Sequence, residues 1–172
     1  MPRAGGAVTT LATSLPVGLA TDGANLYWGH ATSPNLGPGE LLVVPVHGGQ
    51  VTTLATGPLP SCIVVDDDNV YWTDELTGAV TKVAKSGGPA VTLAQIGGFA
   101  QSAIALDSSS VYWIAGGVFK VDKGGGLTLP VCTASTDARP ACRKGILGSP
   151  MPDGSSECEL ARISYALTRA AG

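Results

Sequence analysis

The chain alternates short apolar runs with turns of glycine and small or acidic residues, and the pattern recurs. Its clearest copy is Ile63-Val64-Val65-Asp66-Asp67-Asp68-Asn69-Val70-Tyr71-Trp72-Thr73-Asp74, with weaker copies from Leu19 to Trp28 and from Ile104 to Trp113. Runs of this length, rich in Val, Ile, Thr, Tyr and Trp and bounded by Gly, Pro, Asp and Ser, predict strands joined by tight turns. The middle unit predicts four strands: Cys62 to Asp66, Asn69 to Thr73, Ala79 to Lys85 and Ala90 to Gln95. The first unit predicts Val17 to Asp22, Asn25 to Gly29, Glu40 to Val46 and Gln50 to Ala55; the third predicts Ser102 to Asp107, Ser110 to Ala115, Gly117 to Asp122 and Gly126 to Val131. Alternate side chains of a strand point to opposite faces, so Val70 and Trp72 share one face and Tyr71 takes the other. A sheet apolar on both faces has to be sandwiched between neighbours.

A repeat of about 40 residues with four strands has the length of a propeller blade. Glycine pairs Gly48-Gly49, Gly87-Gly88 and Gly125-Gly126 mark the turn between third and fourth strands, where a tight hairpin needs positive φ. Residues Met1 to Thr13 align with Val44 to Thr56, so the chain is expected to open inside a third strand and to carry the outer half of a preceding blade. The expected organisation is a half-blade at 1–14, blades at 15–56, 57–96 and 97–131, and a tail at 132–172 that lacks the repeat. Cys132 to Ser155 reads as an irregular segment rich in Pro, Ser, Gly and Cys; beyond it a capping box at Ser156 to Glu159 and the spacing of Leu160, Ile163 and Leu167 predict a helix over 157–169.

Composition narrows the function classes. Only 13% of residues are charged, against about 25% in an ordinary domain, and 24 glycines with 12 prolines suit a turn-rich, all-β fold rather than a helical bundle. A net charge of −3 without a Lys/Arg cluster offers nothing to a phosphate backbone, so no nucleic-acid partner is expected. The apolar runs are too short for a membrane-spanning helix. Four cysteines, Cys62, Cys132, Cys142 and Cys158, match no paired zinc spacing, and a Cys132–Cys142 disulfide is one arrangement open to them in an oxidising compartment.

The Tyr71-Trp72-Thr73-Asp74 tetrapeptide resembles the YWTD repeat of six-bladed propellers in lipoprotein-receptor ectodomains, and the chain is also similar to glycine-rich, YW-bearing repeats of bacterial surface proteins. The resemblance covers about residues 1–131; Gly29-His30 and Ile114-Ala115 stand where the other copies would have Thr-Asp. It implies an all-β partial propeller of about three and a half blades, part of a larger secreted or surface protein, in which Thr-Asp packs and hydrogen-bonds between blades. The function implied is a non-enzymatic binding or scaffold module with a protein or glycan partner, no cofactor and an extracytoplasmic location; open blade edges also imply self-association. The alternative is part of a propeller hydrolase or lactonase whose channel site is incomplete here.

Candidate chemistry is sparse. The Asp66-Asp67-Asp68-Asn69 cluster has the oxygen content of a calcium loop, but Val70 and Tyr71 fill places where such a loop wants a ligand and a glycine, and the sibling copies keep only the first Asp, so it reads as a hairpin turn. Trp28, Trp72 and Trp113 recur at one place per unit, which fits core between blades. No nucleophile elbow, zinc-protease motif or phosphate loop is present. The insertion from Gly29 to Gly39 is longer than its counterparts, and in a propeller it emerges on the same end as the blade connectors. The candidate binding residues are therefore His30, Asn35 and Glu40 with Ser61 and Gln101 from the connectors near Pro58 to Ser61 and Gly97 to Gln101.

Overall fold

The computed structural model describes residues 10–11, 16–32, 38–57, 59–74, 77–95, 103–133 and 141–142. Among these every regular element is a strand, and the strands form three antiparallel sheets. The first holds β1 (Pro16–Thr21), β2 (Asn25–Ala31), β3 (Gly39–Pro45) and β4 (Thr52–Gly57). The second holds β5 (Cys62–Val65), β6 (Asn69–Thr73), β7 (Ala79–Ala84) and β8 (Val91–Gln95). The third holds β9 (Ile104–Leu106), β10 (Ser110–Ile114), β11 (Gly117–Asp122) and β12 (Leu129–Thr133), with the two-residue β13 (Ala141–Cys142) added at its edge. Each sheet is a meander in chain order, so each is one blade.

The third sheet departs from the expected pattern at its outer edge. Its fourth strand starts later than the apolar run implied and continues past Val131, and β13 pairs with it, Cys132 opposite Cys142. The preceding connection is as long as in the other blades, spanning 123–128 against 46–51 and 85–90, and with Gly125 at φ 89° and Gly126 at φ 126° the ladder begins only past the glycine turn. The extra strand supplies ladder partners to an edge that would otherwise be unpaired. The expected half-blade at 1–14 and the helix over 157–169 lie outside the described residues, apart from Thr10 and Leu11.

The core lies between the sheets, as the doubly apolar strands require. Tyr27 and Leu41 of the first blade meet Ile63, Val70, Trp72 and Val83 of the second. Tyr71, Val80 and Leu93 of the second meet Val111, Trp113 and Val121 of the third, where Trp113 stacks on Phe119 with ring centroids 6.0 Å apart. The packing has a direction. In successive blades the tryptophan faces the preceding blade and the tyrosine beside it faces the next, because adjacent residues of a strand take opposite faces. Trp28 follows the same rule, clustering with Leu42 and Val44 on the flank turned away from the second blade.

Candidate functional site

Two ends of the blades carry polar groups. At one end lie the β2–β3 connection and the linker into the second blade. His30 and Glu40 are directly opposed in the β2–β3 ladder, and His30 Nδ1 lies 3.3 Å from Glu40 Oε2. Both side chains remain partly exposed, at 27% and 31%. Just beyond them the Thr32 hydroxyl donates to the Pro38 carbonyl and ties the base of the loop.

The linker is pressed onto this end by glycine. A Cβ placed on Gly29 would lie 2.0 Å from the Pro60 carbonyl oxygen, and one on Gly18 would lie 1.9 Å from that of Ser61. A Cβ on Gly39 would lie 2.8 Å from the Leu59 Cα. Three successive strands thus form a trough in which only backbone leaves room for residues 59–61. This is what replaces Thr-Asp in the first blade. In the second, Thr73 and Asp74 are buried, and Asp74 closes a short loop: its Oδ1 accepts from Thr77 N at 3.1 Å, and its own N donates to Ala79 O at 2.9 Å. The first blade has Gly29-His30 there instead, a linker seated on the glycine and a longer loop beside it.

Of the predicted binding residues, the structure brings His30 and Glu40 together. It places Ser61 close by but buried, its hydroxyl 3.5 Å from the Leu59 carbonyl and its N donating to Thr73 O at 2.9 Å. Asn35 and Gln101 lie outside the described residues.

At the opposite end, the aspartates of the recurring turn are the centre of a clasp repeated between blades. Asp66 Oδ1 accepts from Asp68 N and Asn69 N at 3.1 and 2.8 Å, while Oδ2 accepts from the Tyr71 hydroxyl at 3.0 Å and from Lys123 Nζ of the third blade at 2.8 Å. Asp22 repeats this with Ala24 N, Asn25 N, the Tyr27 hydroxyl and Lys85 Nζ of the second blade. Both ammonium groups also sit over the tyrosine rings, 5.8 Å from Tyr27 and 5.7 Å from Tyr71. With both Asp66 oxygens engaged in this way, the acidic cluster does the work of a turn and an inter-blade tie.

The clasp shifts ionisation. The Lys85 ammonium, assisted by the turn's N–H donors, holds the Asp22 carboxyl well below the usual range. Burial works to raise Asp66, but Lys123 and the donors of its own turn outweigh it and hold it at about 2. Burial and the neighbouring carboxylate push the Tyr27 hydroxyl up to about 12. Because both carboxyl pKa values lie below their unfolded values near 4, the unfolded chain binds protons first as pH falls. Their contribution to stability is whole above about pH 4 and is lost as pH falls through about 2. The urea midpoint should therefore drop across this window, and Asp66→Asn should flatten the drop; an unchanged slope in that variant would show that the clasp does not govern acid stability.

In sequence these aspartates read as turn formers alone, and the lysines that reach them stand out only in the structure. The signal was nonetheless present: Lys85 and Lys123 occupy the same offset after the third strand, and a tyrosine follows each turn aspartate by five residues.

No protein-family model matches the chain, and no curated protein matches it. Among solved structures it is similar to a chain of a nidogen/laminin complex at 20% identity and a TM-score of 0.58, covering 69% of this chain and 48% of that one. It is similar to the computationally designed Ika4 protein at 21% identity and a TM-score of 0.57, covering 73% and 78%. Virginiamycin B lyase from Staphylococcus aureus matches at 13% identity and a TM-score of 0.52, covering 68% and 41%. The chain thus spans about half or less of the nidogen/laminin and lyase chains it matches. At these identities the likeness concerns fold, and with the three packed meanders it identifies the described residues as consecutive blades of a partial β-propeller.

Proposed function

We propose that this chain is a binding or scaffold module of a secreted or surface propeller that presents the loop end of its first blade to a protein or glycan. The observation that carries this reading is the contrast between blades. The second blade closes its β6–β7 connection with buried Asp74, whereas the first blade opens into a longer loop flanked by the half-exposed His30–Glu40 pair. The glycine trough beneath seats the linker closely, and a packed support with a variable loop above is how propellers and other scaffolds commonly carry recognition. His30 and Glu40 offer a donor and an acceptor side by side, suited to peptide amides or sugar hydroxyls. Asn35 and Gln101 belong to the same proposed surface; Ser61 would act from beneath by fixing the linker. A protein partner accords with the nidogen neighbour, which was solved in a complex with laminin.

The test is binding of the purified chain to a glycan array and to immobilised extracellular proteins, repeated with His30→Ala and Glu40→Gln. Each variant should weaken binding by about tenfold, the scale of a lost charge-assisted hydrogen bond, with an unchanged circular dichroism spectrum. Binding that ignores both substitutions would remove this surface from consideration. Turnover of simple lactones or esters with stoichiometric bound metal would favour the hydrolase reading instead.

A further inference from the structure

The inter-blade clasp is complete between the first and second blades and between the second and third, and the third blade repeats its receiving half. Asp107 Oδ1 accepts from Ser109 N and Ser110 N, each at 2.7 Å, and Oδ2 accepts from the Tyr112 hydroxyl at 2.8 Å, as in Asp22 and Asp66. Among the described residues no ammonium or guanidinium reaches Asp107. A second group on the same face repeats as well. Lys82 stands opposite Tyr71 in the β6–β7 ladder and donates through Nζ to the Lys123 carbonyl at 2.6 Å. Lys120 stands opposite Tyr112 in the β10–β11 ladder, the same place one blade on, and is half-exposed. In the second blade, one residue of the following blade, Lys123, satisfies both groups: its side chain goes to Asp66 and its carbonyl to Lys82. The face between Asp107 and Lys120 also holds a shallow apolar dent bordered by Ala105, Tyr112, Ile114 and Val118.

The residue that would complete this face is defined by position. Lys85 N donates to Asp68 O and Lys123 N to Ser109 O, and in the first blade Val46 N donates to Ala24 O, so Val46, Lys85 and Lys123 are equivalent. Met1-Pro2-Arg3-Ala4-Gly5-Gly6 aligns with Val44-Pro45-Val46-His47-Gly48-Gly49, which puts Arg3 at this position. In every described instance the cation belongs to the later blade and reaches back to the aspartate of the earlier one.

We propose that the β9–β12 face docks a second copy of this chain, whose Arg3 supplies the cation to Asp107 and whose backbone at that residue accepts from Lys120. The contact is head to tail, so it joins unlike surfaces and generates a closed ring of copies or an open chain of them. Arg3 and Asp107 are complementary in charge, and a guanidinium can bind a carboxylate through two donors where lysine offers a point contact. The interface uses the blade flanks and the turn end, and it stands or falls separately from binding at the His30 loop.

Light scattering on the full chain across a concentration series tests this. The expected result is a mass of two or more chains that dissociates in high salt. Arg3→Glu, Asp107→Asn and Lys120→Met should each weaken assembly, the first two by at least about tenfold. Asn at 107 keeps the oxygen that accepts from Ser109 and Ser110, so its turn survives, and Arg3→Glu leaves the third blade untouched. A single-chain mass at every concentration would overturn the proposal. So would an assembly whose mass is indifferent to Arg3→Glu.

Discussion

Gly29→Ala is expected to destabilise the chain by about 3 kcal/mol or more, a large share of the 5–15 kcal/mol typical of a folded domain. No positive φ is involved at Gly29; the whole effect comes from contact. The new Cβ would lie 2.0 Å from the Pro60 carbonyl oxygen and 2.6 Å from that of Val17, both backbone atoms that cannot rotate away. Relief requires lifting residues 59–61 off the first blade, which also strains the Ser61 N to Thr73 O hydrogen bond joining the linker to the second blade. Overpacking of this kind costs about 1–3 kcal/mol, and a disrupted backbone hydrogen bond adds about 1. Gly116→Ala is the matched comparison. Gly116 has φ 65° with open space around it, so alanine there costs only the left-handed conformation, about 1–2 kcal/mol. Urea unfolding of both variants should rank them in that order. Equal costs would mean that the linker does not press on Gly29 as the structure has it.

Trp72→Ala should cost about 3–5 kcal/mol, the usual range for emptying a buried aromatic site. Trp72 is 2% exposed at the interface of the first two blades, between Ile63 and Thr81 in its own sheet and among Tyr27, Leu41 and Val83. Neither sheet can collapse into the void without losing its ladder, so little of the cavity is recovered. Trp72→Phe should cost much less, under about 2 kcal/mol, for a reason beyond volume. The indole Nε1 is buried with no hydrogen-bond partner among the described residues, and phenylalanine removes that desolvated donor along with part of the ring. If phenylalanine proves as damaging as alanine in denaturant titrations, the indole N–H has a partner and its burial is not a cost.

The fold was legible because strand period, turn glycines and the repeat all argued for the same meander. Val70, Tyr71 and Trp72 alone required a sheet covered on both faces, and the packing of Trp72 toward the first blade and Tyr71 toward the third realises that requirement. The outer edge of the third sheet was less legible, since β12 begins only past its glycine turn and a pair of residues beyond the repeat adds a further strand. The site was legible only in part. His30 and Glu40 could be nominated from a long loop, and their pairing follows from ladder register. The burial of Ser61 could not be read from sequence, because it depends on where a linker descends onto glycines in three separate strands. The clasp joins residues 63 and 57 positions apart, and such partners become visible only when units are compared with their neighbours rather than aligned on themselves.

The one-way arrangement of the blades bears on how such a chain can grow. The second and third units each carry a lysine pointing back, and all three units carry an aspartate, with a tyrosine, pointing forward. Copying the second or third unit in tandem therefore adds a matched joint at each new boundary with no further mutation, and the copy leaves the same acceptor exposed for the next. Stability in such an array accrues unit by unit through nearest neighbours. A gene built this way can lengthen or shorten by whole blades, and natural selection then acts on the number of units as readily as on their residues.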